Sequence, residues 1–175
     1  MTAALRLLDR GGERAITLRA VAKEGGTTTP TIYERFPNRE ALMGRLVDHV
    51  TNEIMALLEP KESIEGMFRE YLRYSQEFPM RVDLTVEVFA KRYVAQQRMP
   101  AFELLKKRIV REIGVTGTTC ESLALAIASL AFGTAQGMNA AGRGDKHGAR
   151  FRRASIHALQ MLLAAYLTGP RRTAR

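Results

Sequence analysis

Nowhere along this chain do apolar and polar residues alternate strictly between two turns, so no stretch reads as a half-buried strand. Apolar residues recur instead at intervals of three and four, broken by Gly11-Gly12, Gly25-Gly26, Pro60, Pro79 and Pro100. That period places them on one side of an α-helix, and the glycines and prolines end one helix before the next. The fold class expected is all-α. With 175 residues, 46% hydrophobic and 26% charged, the chain suffices for one or two small globular domains.

Punctuation and caps locate the helices. The first holds Ala3, Ala4, Leu5 and Leu8 and stops at Gly11-Gly12. The second follows Thr17 as N-cap, buries Leu18, Val21 and Ala22, and ends at Gly25-Gly26. The third has Thr28 as N-cap and Thr29-Pro30-Thr31 as its first turn, where a proline lacks only a hydrogen that had no partner. Its Ile32 and Phe36 share the inner face, which leaves Thr29, Pro30 and Tyr33 outside. Threonine, proline and tyrosine are mediocre helix formers, so that outer face is chosen for contact. Two helices joined by a short glycine turn form a helix-turn-helix.

A fourth helix starts near Asn38 and runs through Leu42, Leu46, Val50, Ile54 and Leu57 to Pro60. Beyond it, apolar faces form at Ile64, Met67, Phe68, Tyr71 and Leu72, at Val82, Val86, Phe89 and Tyr93, and at Phe102, Leu105 and Ile109. The last two helices, about 119–141 and 150–168, are the most apolar. Leu123, Ile127, Leu130, Ala131 and Thr134 line one, and Ile156, Leu159, Leu162, Leu163 and Tyr166 the other. So apolar a pair in a globular chain implies a partner subunit. Ser122 to Gly142 has no charged residue and meets the length of a membrane span, but its serines, Thr134, Gln136, Asn139 and frequent glycine and alanine fit a buried or interfacial helix. Cys120 is the only cysteine and the first residues lack a signal-peptide core, so a cytoplasmic protein is expected.

The net charge of +9 invites a polyanion, yet it is unevenly spread. Residues 1–50 hold eight Lys/Arg against six Asp/Glu, 51–113 eleven against ten, and 114–175 eight against two. The excess lies in "RGDKHGARFRR" and the tail "RRTAR", which read first as a solvated loop and a frayed end and second as phosphate contacts.

"TLRAVAKEGGTTTPTIYERFPNREAL", Thr17 to Leu42, resembles the helix-turn-helix of the tetracycline-repressor (TetR) family of transcriptional regulators, over about residues 3–50. The resemblance implies a DNA-binding domain at 1–48, a helical ligand-binding and dimerisation domain at 49–175, no enzyme activity and no cofactor. It implies a homodimer on a palindromic operator in double-stranded DNA, and a repressor released by a small, mostly apolar molecule. Residue by residue, Thr17 meets phosphate, Arg19 a guanine edge or phosphate, and Thr29 and Pro30 the major groove. Thr31 and Tyr33 offer hydroxyls to the backbone and Arg39 a charge to a phosphate; Thr28 serves first as a cap. Arg35 stands where the family commonly has histidine and adds a phosphate contact. Thr27 replaces the usual valine, and the resemblance implies a first helix that lacks the family's opening turn and basic arm.

For the larger domain the resemblance makes Leu123, Ile127, Leu130, Thr134, Leu159, Leu162, Leu163 and Tyr166 dimer residues. Met67, Phe68, Tyr71, Phe89, Tyr93, Phe102 and Met138 are candidates to line a ligand cavity, with plain core packing as the alternative for each. Tyr33 has the alternative of bridging helices half-buried, and Arg19 that of a solvated surface charge. Gly133 and Gly137 form a G-x-x-x-G that lets helices approach. Two rival classes remain open. A nonspecific nucleoid-type DNA-binding protein fits the charge but not a second, ligand-sized domain. A small helical enzyme finds little support, since His49, His147, His157 and Cys120 lack metal-ligand spacing and "GRGDKHG" lacks the order of a phosphate loop.

Overall fold

The computed structural model describes residues 1–142 and 145–168. Among them the chain forms nine α-helices, one 3-10 turn and no strand: α1 Thr2–Gly11, the turn Glu13–Ala15, α2 Leu18–Glu24, α3 Thr29–Arg35, α4 Arg39–Leu58, α5 Ile64–Glu77, α6 Pro79–Val94, α7 Pro100–Ile113, α8 Gly117–Ala141 and α9 Lys146–Thr168. The all-α expectation holds. Arg143, Gly144 and the "RRTAR" tail lie outside the described residues.

Two compact units result. One comprises Met1–Ala56 and Glu77–Met99, the other Leu57–Gln76 and Pro100–Arg175. In the first, Leu8 on α1, Ile16, Leu42, Leu46 and Val50 on α4, and Val82 on α6 are fully buried. Charged side chains fasten its helices at the edges. Arg6 and Arg10 of α1 pair with Glu24 at the end of α2. From α6, Arg81 sends Nε and Nη2 to both carboxylate oxygens of Asp9 at 2.8 and 2.6 Å, and Nη1 to Glu53 on α4 at 2.8 Å. Its guanidinium also lies 4.0 Å over the Phe78 ring.

In the second unit Ile64, Leu72, Ile109, Leu123, Met138 and Leu159 are fully buried. The Glu112 carboxylate of α7 accepts the backbone hydrogen of Ile64 at 2.8 Å, capping α5 from another helix. α8 and α9 form an extensive antiparallel-type pair of long helices. Gly137 permits it, since a Cβ there would fall 2.8 Å from the Phe151 ring of α9, and a buried Thr134–Ser155 hydroxyl contact at 2.6 Å sets the register.

Three expectations change. α9 begins at Lys146, four residues before its expected start. Asp145 accepts the His147 backbone hydrogen at 2.6 Å, so Lys146 and His147 belong to a capped helix and not to a loop. On α6 the buried residues are Val82 and Leu84, with Val86 half-buried.

Candidate nucleic-acid interface

Three local devices build the helix-turn-helix. Thr17 accepts the Ala20 backbone hydrogen in its hydroxyl at 3.0 Å and so opens α2. Gly26, at φ +63, closes it: the Thr27 N–H bonds the Ala22 carbonyl at 3.0 Å and the Gly26 N–H bonds Lys23 at 3.3 Å. These are the paired bonds of a Schellman motif, which needs the left-handed residue that glycine supplies. Thr28 then caps α3. Its hydroxyl accepts the Thr31 N–H at 3.4 Å and lies 2.9 Å from the Thr31 hydroxyl.

The sequence placed the inner and outer faces of α3 correctly in outline. Ile32 is buried and Phe36 half-buried, while Pro30, Thr31, Tyr33 and Arg35 are exposed. Tyr33 is 49% exposed, so about half of its surface is open to solvent. Thr29 is half-buried, set further in than Pro30. Arg19 is exposed in the first turn of α2 and, like Arg35, makes no ion pair or hydrogen bond among the described residues. Thr17, Arg19, Pro30, Thr31, Tyr33 and Arg35 therefore form a polar, cationic surface around α3, able to meet phosphates with hydroxyls and guanidinium groups and base edges through Pro30 and Thr29.

Arg39 departs from its expected role. Its Nε donates to the Ile16 carbonyl at 2.9 Å and its Nη2 to the Glu13 carbonyl at 2.9 Å and the Glu13 carboxylate at 3.1 Å. Those donors tie the start of α4 to the turn before α2, so Arg39 holds the helix-turn-helix together. Arg45, exposed on α4, shares with Thr27, Thr31 and Arg35 a cleft of about 1120 Å³ floored by Ala4, Val21, Ile32 and Leu42.

The expected ligand residues fall in both units. Met67, Phe68, Tyr71, Phe102 and Met138 are buried in the second, where Tyr71 meets Phe132 at 5.9 Å between ring centroids. Phe89 and Tyr93 are half-buried in the first and stack on each other at 6.2 Å. The expected dimer residues also divide. Leu123, Ile127, Thr134 and Leu159 turn into the core of their own unit, between 0% and 3% exposed, so they have no surface left for a partner. Leu130, Leu162 and Leu163 are half-buried and Tyr166 exposed. The apolar surface these two helices present includes Ala126, the half-buried Leu130 and Gly133 on α8 with Ala158, Met161, Ala165 and Leu167 on α9, Met161 being 61% and Leu167 62% exposed.

α8 is also the one described helix long and apolar enough to cross a membrane, with 44% of its most apolar window buried inside the fold. Among the described residues no cluster of His, Cys, Asp or Glu could hold a metal ion.

Residues 1–46 match the family profile described as bacterial regulatory proteins, tetR family. No curated protein matches the sequence. Among solved structures, a TetR variant from Acinetobacter baumannii AYE in complex with minocycline superposes with a TM-score of 0.67 at 17% identity, over 94% of this chain and 92% of that one. A TetR transcriptional regulator from Rhodococcus sp. RHA1 gives 0.61 at 16% identity, over 95% of each chain. A TetR-family transcriptional regulator from Pectobacterium atrosepticum gives 0.57 at 18% identity, over 97% and 93%.

Proposed function

We propose that this chain is a TetR-family regulator, a repressor that binds a palindromic operator as a homodimer and leaves it when a small, mostly apolar molecule binds; the profile match over residues 1–46 and the TetR-like fold support that reading. DNA-binding transcriptional regulation is the part of this reading that the match of residues 1–46 to the tetR-family profile supports directly. The observation that carries the proposal is the surface around α3: hydroxyls, a proline ring, a tyrosine and unpaired arginines stand outward over a single buried isoleucine. Thr17, Arg19, Tyr33 and Arg35 fix the head on the phosphates, and Thr29 and Pro30 read bases.

We assign residues 1–48 to DNA binding and 49–175 to the effector and the partner subunit. The effector site belongs with the aromatic and methionine side chains of the second unit, Met67, Phe68, Tyr71, Phe102 and Met138; the neighbour that holds minocycline supports a small-molecule effector. Dimerisation belongs to the presented face of Leu130, Gly133, Met161 and Ala165, since twofold symmetry sets two reading helices about one turn of B-DNA apart. A hundredfold loss of operator affinity requires about 2.7 kcal/mol of differential effector binding. A regulator of this kind works in the cytoplasm.

The test is footprinting of the purified protein on the DNA flanking its own gene, with and without candidate small molecules. A protected palindrome that opens with one of them supports the proposal. Uniform protection at every sequence would place the chain with nonspecific nucleoid proteins.

A further inference from the structure

After Asp145 the sequence contains no Asp or Glu, yet Lys146, Arg150, Arg152 and Arg153 follow within eight positions. The structure makes this run the N-terminal third of α9. Lys146, Arg150, Arg153 and His157 fall within about 60° of arc at 3.6 residues per turn, a stripe about 16 Å long, and all four are exposed. None of them has an ion pair or side-chain hydrogen bond among the described residues. Further along the helix Gln160 reaches the Glu65 carboxylate of α5 at 3.1 Å, and that carboxylate is paired with Arg69 at 2.6 Å.

The arrangement opposes local stability twice. Cations at a helix N-terminus face the positive end of its dipole, and like charges three and four residues apart repel. The stripe lies about 150–170° round the helix from Ser155 and Leu159, which face the core, and about 80° from the mean direction of Ala158, Met161 and Ala165. Burying that apolar face against a second subunit leaves the cations outward.

We infer that this stripe of α9 is a second nucleic-acid contact, a sequence-independent seat for the phosphate backbone separate from the surface around α3. Two of its three permanent charges are arginines, whose planar forks suit phosphate oxygens. A lipid surface fits less well: the stripe continues into Gln160, Ala164 and Thr168, with no bulky apolar side chain to enter a bilayer. Phe151 stands on another side of the helix, against Gly137.

The test is a titration of the full chain with random-sequence duplex DNA over a salt series, for the wild type and for the triple variant Lys146→Gln, Arg150→Gln, Arg153→Gln. Each phosphate contact contributes about 0.9 to the slope of log affinity against log salt, so the variant should lose about three units of slope. Its thermal midpoint should be unchanged or higher, because the substitutions relieve repulsion, and weaker binding would then not reflect unfolding. An Arg19→Ala, Arg35→Ala double variant, measured in parallel, should lose its own share of the slope whether or not α9 contributes. An unchanged slope in the triple variant overturns the inference. So does an unchanged slope accompanied by charge-dependent binding of wild type to vesicles one-third anionic in composition, which would assign the stripe to a membrane.

Discussion

Arg39 donates its Nε hydrogen to the backbone oxygen of Ile16 at 2.9 Å, closing a span of 23 residues between the start of α4 and the residue before the α2 cap. The same guanidinium reaches the Glu13 carbonyl, so both ends of the helix-turn-helix hang on one side chain. Two charge-assisted bonds to backbone oxygens, screened because the side chain is 46% exposed, should contribute about 1–2 kcal/mol. Arg39→Ala should lower stability by that amount in urea denaturation and weaken operator binding. Arg39→Lys should restore little of either, since a single ammonium cannot serve acceptors lying in two directions. Wild-type stability in Arg39→Ala would remove the positioning role.

On the contact surface, backbone and base contacts should separate. Tyr33→Phe deletes one exposed hydroxyl and should weaken binding to every sequence alike. Arg35→Ala should reduce the salt slope by about one unit. Thr29→Ala or Pro30→Ala should instead alter which bases are preferred, by about 1 kcal/mol or more at the affected position. Binding-site selection followed by salt titration measures both; a uniform loss in Pro30→Ala would end its assignment to base reading.

Met161 and Leu159 lie two residues apart on α9 with opposite fates, the first 61% exposed and the second fully buried. Met161→Glu should leave the fold intact and shift sedimentation to monomer, with specific DNA binding lost. Leu159→Ala should destabilise the second unit by about 2–5 kcal/mol through the cavity it leaves. A Met161→Glu protein that sediments as a dimer would move the interface elsewhere.

Much of this arrangement was legible because it is encoded locally. Thr17 and Thr28 announce helix starts, Gly25-Gly26 announces a turn, and Ile32 follows from spacing alone. What the sequence concealed depends on which neighbour a side chain meets. The periodicity of α8 and α9 put Leu123, Ile127 and Leu159 on an apolar face, but a helix between a core and a surface has two such faces, and period cannot tell them apart. The bonds of Arg39 were hidden for a similar reason: a cation near the contact helix looks free until a carbonyl 23 residues away is found against it. The helical place of Lys146 is hidden for the same reason: nothing in its own side chain signals that Asp145 caps a helix.

Two carboxylates of the second unit should give stability opposite pH dependence. Glu70 pairs with Arg73 and with Lys61 at 3.2 Å, and the Arg73 hydrogen bond, with help from Lys61, holds its carboxyl below the ordinary value. Its contribution is therefore present above the unfolded pKa and lost as pH falls through the folded one. Burial pushes the Glu112 carboxyl up, only partly countered by the Ile64 N–H and the arginines at 108 and 111. A raised carboxyl works the other way: its contribution is full below the unfolded pKa and fades as pH climbs through the folded value. Glu70→Gln should thus destabilise the protein at neutral pH, with a deficit that shrinks on acidification. Glu112→Gln keeps an acceptor for the Ile64 N–H without the buried charge, so its stability relative to wild type should be better at neutral pH than in acid. Thermal denaturation of both variants from pH 3 to 7 checks the pair, and parallel pH profiles for the two would refute the opposition.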